Sequence, residues 1–532
     1  MPAIFLIAFM LFISAFVNTF DTCETMNLVE ATQNQSTKRI ILIPLDSRPP
    51  CTDFVVDMAR IANVEVITPS NKDLDYFTIP GEAYKIRQWL LANATECDAI
   101  ILSIDQLLYG GLIAARESNL NDDEINSLAN YLIELRNVIP DKPIYAFSIL
   151  PRMQPQQSID NYQQRRALMA YSRLIGRAHS GLTADDEAIF EALNEISSEN
   201  LNTYLEHFRE CEQLNKRLIS LTNDGVIDRL IIGLDDGERY SIQNLLIDNL
   251  RQEIVNHDAI NKISLIHGAD EIALTLLAEI VMSNNIKICV QYNNSEVASM
   301  ILPFMAVSVE DVVLERLAQL QLKRVDNPKE ADFTLFISVN GADNSNSDYI
   351  TELIEAGHKI ALVDLGEHFD KDETILPILI NHGVAVNSLI AYAGWNTASN
   401  SIGTAISQAV LHVSGGNALE NLRFLNQRFI EDQFYLKDVI DTVNHALKKN
   451  GSYDTSYLDY GTEYEFATFV MRNTMNKKIS DYKYSISFRQ PITIDETRKI
   501  RLKDFDVEMK YPWPRTFEIK LKINDLIYTE VK

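Results

Sequence analysis

The stretch that decides the fold is residues 228–237, DRLIIGLDDG, in which an apolar run leads directly into two aspartates. The run is apolar on both alternating faces, as in strands of a parallel sheet that helices cover on each side. Residues 262–271, KISLIHGADE, repeat the arrangement. Carboxylates at strand ends are where α/β enzymes place their chemistry. The two stretches therefore predict an α/β enzyme with its site at one edge of a parallel sheet.

Apolar runs of the same kind recur along the chain and are separated by amphipathic stretches. Ten runs are candidates for strands: residues 39–44, 64–68, 99–104, 144–149, 228–232, 262–266, 287–291, 332–339, 359–363 and 388–391. This alternation predicts parallel β/α architecture. Because ten strands exceed the eight of a closed barrel, two arrangements stay open. Either the first seven or eight strands form a barrel with an additional lobe, or two doubly wound sheets face each other.

The length of 532 residues predicts more than one domain. We expect a main α/β domain over residues 38–300, with a polar helical insertion at 158–222, and a second α/β lobe over 301–415. The insertion is either a solvated helical hairpin or a wall of the site. From residue 416 to 532 the alternation stops, which predicts a smaller α+β region. Its predicted strands are residues 484–488, 506–511 and 516–523.

The first 37 residues differ from the rest. Residues 3–17 are almost wholly apolar, and a polar linker follows at 21–37. An apolar core of this length is typical of a signal peptide and short for a membrane-spanning helix. We therefore expect residues 1–20 to be a signal peptide or an uncleaved anchor, and the protein to be secreted or held in the cell envelope. It would contact a membrane only through an uncleaved N-terminus.

The charge balance argues against two classes of partner. The chain has 48 Lys and Arg residues against 74 Asp and Glu residues, a net charge of −26. Such a balance repels phosphate backbones and anionic lipid headgroups. We therefore expect a small-molecule or carbohydrate substrate and no nucleic acid.

Two pairs of adjacent acidic residues follow predicted strands: Asp235 with Asp236, and Asp270 with Glu271. In a close carboxylate pair one pKa rises while the other group stays ionised, which separates a general acid from a charge stabiliser. All four are therefore candidate catalytic residues. The alternative is that Asp236 and Asp270 cap the helices that follow, but capping explains only one residue of the first pair.

Other polar residues at predicted strand ends are candidates for substrate binding. Asp46 and Arg48 follow the first run, Asp105 and Tyr109 follow the third, and His267 follows the sixth. Arginine can clamp two oxygens at once, and carboxylates and phenols bond hydroxyl groups. The alternatives are an internal ion pair, a tight turn without ligand, and a packed core histidine.

A further segment, residues 392–400 with the sequence YAGWNTASN, follows the last predicted strand. Trp395 would stack on the apolar face of a sugar ring, and Asn396 and Asn400 would bond hydroxyl groups. The alternative for Trp395 is burial at a domain junction.

Two local resemblances concern the acidic pairs. Residues 267–271, HGADE, are similar to the His-x-Gly-Gly-Asp-Glu element of retaining β-N-acetylhexosaminidases, although they depart from it at Gly268-Ala269. The resemblance implies that Asp270 orients a substrate acetamido group and that Glu271 is the general acid. The pair Asp235 and Asp236 separately resembles the adjacent aspartates of other hexosaminidases.

A broader resemblance covers nearly the whole chain after residue 37. Six motifs in order resemble a family of mainly bacterial proteins known as domain of unknown function 4127: PLDSRP at 44–49, YGGL at 109–112, GLDD at 233–236, GADE at 268–271, YAGWNT at 392–397 and PWPRTFE at 512–518. The family implies that these positions belong to one architecture, and it implies no activity.

These observations predict a hydrolase that acts on a glycosidic substrate through strand-end carboxylates. One alternative is a metal-dependent hydrolase with a hard cation held by Asp46, Asp105, Asp235, Asp236 and His267. The other is a carbohydrate-binding protein without activity. We assign no metal ligands and no cofactor from the sequence.

Overall fold

Parallel strands form two open sheets in the computed structural model, which describes residues 38–531 apart from 184, 258, 369 and 496. The α/β prediction is confirmed, and the strands lie in two separate sheets instead of a closed barrel. The predicted signal peptide or anchor at 1–20 and the linker at 21–37 lie outside the described residues.

The first sheet has the strand order β2-β1-β3-β4-β5-β6, with all neighbours parallel. Its strands are β1 (Arg39–Ile43), β2 (Glu65–Ile67), β3 (Ala99–Ser103), β4 (Ile144–Leu150), β5 (Arg229–Leu234) and β6 (Ile263–His267). β3 and β5 are buried along their whole length, as their continuous apolar sequences require. Because the strands are parallel, their carboxyl ends share one edge of the sheet.

The second sheet has the order β11-β10-β9-β7-β8 and is also parallel. Its strands are β7 (Lys287–Tyr292), β8 (Lys323–Val325), β9 (Phe333–Val339), β10 (Ile360–Leu365) and β11 (Ala391–Ala393). β7, which the sequence groups with residues 38–300, pairs here with β8 and β9. In both sheets the second strand lies on one side of the first and the later strands lie on the other, which is the order of doubly wound sheets.

Helices connect the strands. They are α1 (Asp53–Ile61), α2 (Ala83–Asn93), α3 (Ile104–Leu108), α4 (Leu112–Glu117), α5 (Asp122–Val138), α6 (Tyr162–His179), α7 (Asp186–Asn194), α8 (Ser198–Asn223), α9 (Ile242–Asn256), α10 (Ile272–Val281), α11 (Val309–Gln319), α12 (Asn344–Glu355), α13 (Leu376–Asn381), α14 (Ala398–Val413), α15 (Ala418–Arg428), α16 (Ile440–Lys449) and α17 (Glu463–Tyr484), with a π-helix at Phe429–Val439. The predicted insertion at 158–222 is helical and contains α6, α7 and most of α8.

One apolar core joins the two sheets. It contains Ile101 of β3 and Leu335 of β9, together with apolar residues of α1, α10, α11 and α14. Helix α14 is buried along residues 398–411, and it packs against α10 and against β10 and β11. The start of α14 is thereby fixed close to the loop that joins β6 to α10, so residues of both sheets reach one site.

The C-terminal region is an antiparallel sheet of β12 (Ile492–Thr493), β13 (Lys499–Lys510) and β14 (Lys520–Val531). The strand predicted at 484–488 is wrong, because α17 continues to Tyr484 and a turn follows. None of the helices in the described part of the chain has the length and hydropathy that crossing a membrane requires.

Candidate active site

A cavity of about 250 Å³ lies at the carboxyl edge of the first sheet. The loops after β1, β4, β5 and β6 supply Arg48, Arg152, Asp235, Asp236 and Asp270. The last residue of β6 is His267, which also lines the cavity, and the end of α4 supplies Arg116. The loop after β11 and the first turn of α14 supply Asn396, Thr397, Ser399 and Asn400. The lining also includes Leu234, Gly268, Ala269, Phe304, Met305, Arg515 and Phe517.

Asp235 is paired with Arg116. The Nε of Arg116 donates to Oδ2 of Asp235 at 2.8 Å, and its Nη2 donates to the same oxygen. The backbone N–H of Asp236 donates to the other oxygen at 2.9 Å. Burial alone would raise the pKa of Asp235, but Arg116 and this N–H outweigh it and the pKa lies below its ordinary value. Asp235 is therefore the ionised member of the pair.

Asp236 has a different environment. Its carboxyl group makes no hydrogen bond or ion pair with any residue that the structure describes. Burial, followed by the neighbouring charge of Asp235, raises the pKa of Asp236 to about 6. Below about pH 6 Asp236 therefore holds a proton while Asp235 stays ionised, as an acid and a charge stabiliser must.

Arg48 connects the first loop of the sheet with the last. Its Nη2 donates to Asp46 Oδ2 at 2.6 Å and to Asp270 Oδ1 at 2.6 Å. Asp46 is fully buried and Asp270 is 5% exposed. Asn396 donates to Asp270 at 3.4 Å. Burial raises the pKa of Asp270, although Arg48 opposes the change. Asp46 and Arg48 thus position Asp270, and Arg48 and Asp270 also line the cavity.

The opposite wall offers neutral polar groups. Asn396, Thr397, Ser399 and Asn400 lie at the N-terminus of α14, where Thr397 is the N-cap. The Oδ1 atom of Asn400 is buried and has no hydrogen-bond partner among the described residues. This oxygen is not exposed to the cavity, so the polar groups that the wall offers to a ligand are those of the other atoms at this helix start.

The rim of the cavity is aromatic and was not found from the sequence. Phe304 and Phe517 are 55% and 44% exposed. Arg515 stacks on Phe517 and on the buried Trp513, and it forms a bidentate ion pair with Glu518. Phe304 lies in the loop before α11, and Arg515 and Phe517 lie between the antiparallel strands β13 and β14. None of them is at the carboxyl end of a parallel strand, where the sequence pattern placed the site. Arg152, by contrast, lies two residues after Leu150, the last residue of β4, and the strand-end rule applied to that loop would have found it.

Glu271, a predicted catalytic residue, is placed outside the cavity. Its side chain and that of Arg316 on α11 are both 0% exposed and form an ion pair. Arg316 also donates to the carbonyl oxygen of His267 at 2.5 Å. The neighbouring Glu315 accepts from the ring and the backbone N–H of His267, each at 2.8 Å. The acidic residue after Asp270 therefore anchors the strand end instead of facing a substrate.

Trp395 does not provide the predicted stacking surface. It is 5% exposed, packs edge to face on Phe54 of α1, and donates from Nε1 to Thr404 at 3.2 Å. The prediction failed because an aromatic residue after a strand can turn to either side, and here α1 covers it. Phe304 and Phe517 occupy the exposed positions instead.

Asp105 and Tyr109 line a smaller cavity that shares Arg116 and Asp235 with the main one. Asp105 is 2% exposed and accepts from the N–H of Ile149 at 3.0 Å. Burial raises its pKa to about 7. At about 20 Å³ this space accommodates little more than one water molecule. Both residues therefore lie behind Asp235, not beside a substrate.

The five residues considered for a hard cation do not converge. Within the described part of the chain, the acidic and sulfur ligands that approach one another are Asp46, Cys51 and Asp270. Arg48 already bonds both of these carboxylates, so a guanidinium occupies the position between them.

The fold and the site define a two-sheet α/β protein with a charged cavity at the strand ends. Two adjacent aspartates line this cavity, Asp235 ionised and Asp236 able to hold a proton. The chain belongs to the family described as protein of unknown function (DUF4127), whose model matches residues 40–522. No curated protein and no solved structure matches the chain.

Proposed function

We propose that the protein hydrolyses a glycosidic bond of a hydroxylated, sugar-like substrate bound in the strand-end cavity. The observation that carries the proposal is the unequal pairing of Asp235 and Asp236: Arg116 bonds Asp235, while the carboxyl group of Asp236 has no partner among the described residues. This difference lowers the pKa of Asp235 and leaves that of Asp236 raised, and glycoside hydrolysis requires one carboxylate and one carboxylic acid. Asp236 would protonate the leaving oxygen. Asp235, kept ionised by Arg116, would stabilise the positive charge that develops on the sugar ring.

The remaining lining supports a sugar ring as the ligand. The amide and hydroxyl groups at the start of α14 suit the hydroxyl groups of a sugar. Phe304 and Phe517 offer exposed rings for its apolar face. The volume of about 250 Å³ lies just below the range of typical small-molecule sites, about 300 Å³ upward. We therefore expect a single sugar unit to occupy the cavity.

The resemblance to hexosaminidases supports the proposal only through the Asp235 and Asp236 pair. The other local resemblance would require Glu271 to act as the acid, but this residue is enclosed with Arg316. A metal-dependent reaction has less support, because Arg48 lies between the closest carboxylates.

The test is hydrolysis of a panel of aryl glycosides, including N-acetylhexosaminides and uronides, with and without EDTA. We expect EDTA-insensitive turnover that falls as pH rises above about 6, because Asp236 must be protonated. Asp236→Asn should lower the rate at least about a hundredfold. Asp525→Asn, at an exposed aspartate on β14, is the matched control and should retain wild-type rates.

Three results would overturn the proposal. Turnover that EDTA abolishes would favour a metal-dependent hydrolase. Full activity in Asp236→Asn would remove the proposed acid. Sugar binding without turnover of any glycoside would leave a carbohydrate-binding protein.

A further inference from the structure

Arg152 differs from the other three arginines that line the cavity. Arg48 is paired with Asp46 and Asp270, Arg116 with Asp235, and Arg515 with Glu518. Arg152 makes no hydrogen bond, ion pair or ring contact with any described residue. Arg152 nevertheless lines the cavity, two residues after the end of β4, and it is half-buried.

The surroundings of Arg152 make the missing partner costly. Burial lowers its pKa, and the charge of Arg116 lowers it further. Asp235, Asp236 and Glu117 oppose this lowering. Asp235 is already bonded to Arg116, and Glu117 lies outside the cavity lining and accepts from the backbone N–H groups of Gln157 and Ser158. When Asp236 is protonated, as the proposed reaction requires, no unpaired carboxylate lining the described cavity remains to balance Arg152. A partly desolvated cation of this kind is stabilised by an anion that the ligand brings.

We propose that the substrate carries an anionic group, a carboxylate or a phosphate attached to the sugar, and that Arg152 binds this group in the cavity. The inference rests on the proposed function, because Arg152 lacks a balancing carboxylate in the cavity only when Asp236 is protonated. A guanidinium suits either anion, since its planar array of N–H donors bonds two oxygens at once.

Two features of the cavity fit this ligand. The N-terminus of α14 opens onto it at Thr397, and a helix of this length presents unpaired N–H groups and a partial positive charge there. A bound anion would also favour the neutral form of the nearby Asp236, because like charges repel. Substrate binding would thereby keep the proposed acid protonated at a pH at which the empty site loses its proton.

Calorimetric titration tests the inference with four probes: glucuronate, glucose 6-phosphate, glucose and inorganic phosphate. We expect one of the two anionic sugars to bind the wild-type protein at least about tenfold more tightly than glucose, which is the size of one charge-assisted contact. The preferred probe distinguishes a carboxylate from a phosphate substrate. Inorganic phosphate controls for binding of the bare anion.

Variants assign the preference to Arg152. Arg152→Gln should remove it, Arg152→Lys should restore part of it, and Arg501→Gln, at an exposed arginine on β13, should leave it unchanged. Failure of both anionic sugars to bind at millimolar concentration overturns the inference. So does equal binding of glucose, or an unchanged preference in Arg152→Gln.

The inference and the proposed function can fail separately. If anionic sugars bind through Arg152 but no glycoside is hydrolysed, the inference stands and the hydrolase is wrong. If neutral glycosides are hydrolysed and Arg152→Gln leaves kcat and KM unchanged, the hydrolase stands and the inference is wrong.

Discussion

The buried pair of Glu271 and Arg316 gives the sharpest test of how the site is supported. Both side chains are 0% exposed. One oxygen of Glu271 and two nitrogens of Arg316 have no further partner among the described residues. Removing one member of such a pair leaves an uncompensated buried charge, which costs about 3–5 kcal/mol. We therefore expect Arg316→Met and Glu271→Gln each to lower the free energy of unfolding by roughly this amount.

The double variant Glu271→Leu/Arg316→Met separates charge from packing. It removes both charges and keeps similar volume, so it should be more stable than either single variant. The measurement is guanidinium unfolding followed in parallel by tryptophan fluorescence and circular dichroism. Single variants within about 0.5 kcal/mol of wild type, or a double variant whose loss equals the sum of the two single losses, would refute the buried-charge explanation.

The same variants distinguish a supporting role from a catalytic one. At a temperature at which Glu271→Gln is fully folded, it should bind sugars as the wild type does. It should also retain most of the glycoside turnover, because Glu271 does not line the cavity. Loss of turnover in the folded variant, with sugar binding intact, would instead return Glu271 to the role of general acid.

Two further predictions concern the supporting residues. The folded-state pKa of Asp105, about 7, lies above its unfolded value, so its contribution to stability is complete below about pH 4 and is lost as pH rises through 7. In thermal unfolding measured between about pH 4 and 7, the stability of Asp105→Asn should decline less steeply with pH than that of the wild type. Parallel plots of stability against pH for the two proteins would contradict the raised pKa of Asp105. At Gly403 of α14, an added Cβ would lie 2.5 Å from Cγ of Glu271 and 3.1 Å from Nε of Arg316. Gly403→Ala should therefore cost about 1–3 kcal/mol, while Gly461→Ala, whose nearest neighbour is 3.7 Å away, should not; equal thermal stability of the two variants would refute the close contact.

Periodicity predicted the elements of the sheets better than it predicted their grouping. The run at 228–232 and strand β5 differ by one residue at the start and two at the end, because continuous apolar sequence is a local property of buried strands. Strand β8 was missed, since its three residues, Lys323–Val325, carry two charges and show no apolar run. Which sheet a strand joins depends on long-range pairing, so the place of β7 could not be read from its own residues.

The sequence predicted the location of the candidate site more successfully than the role of each residue in it. Asp235, Asp236 and Asp270 do line one cavity, because parallel strands bring their carboxyl ends to one edge. Their protonation depends on Arg116 and Arg48, and no local motif encodes these pairings. For the same reason the sequence could not show that Glu271 is buried, because its partner Arg316 lies 45 residues away on another helix.

Arg48 explains how residues from opposite parts of the sheet reach one cavity. β1 and β6 are separated by β3, β4 and β5, so four strand spacings, about 19 Å in a flat sheet, lie between them. An arginine side chain cannot span that distance, yet Arg48 bonds Asp270 at 2.6 Å. The loops after β1 and β6 must therefore fold toward each other across the ends of the intervening strands. Asp235 and Asp236, which follow β5, consequently lie beside these converging loops, and the loops contribute to the burial that raises the pKa of Asp236.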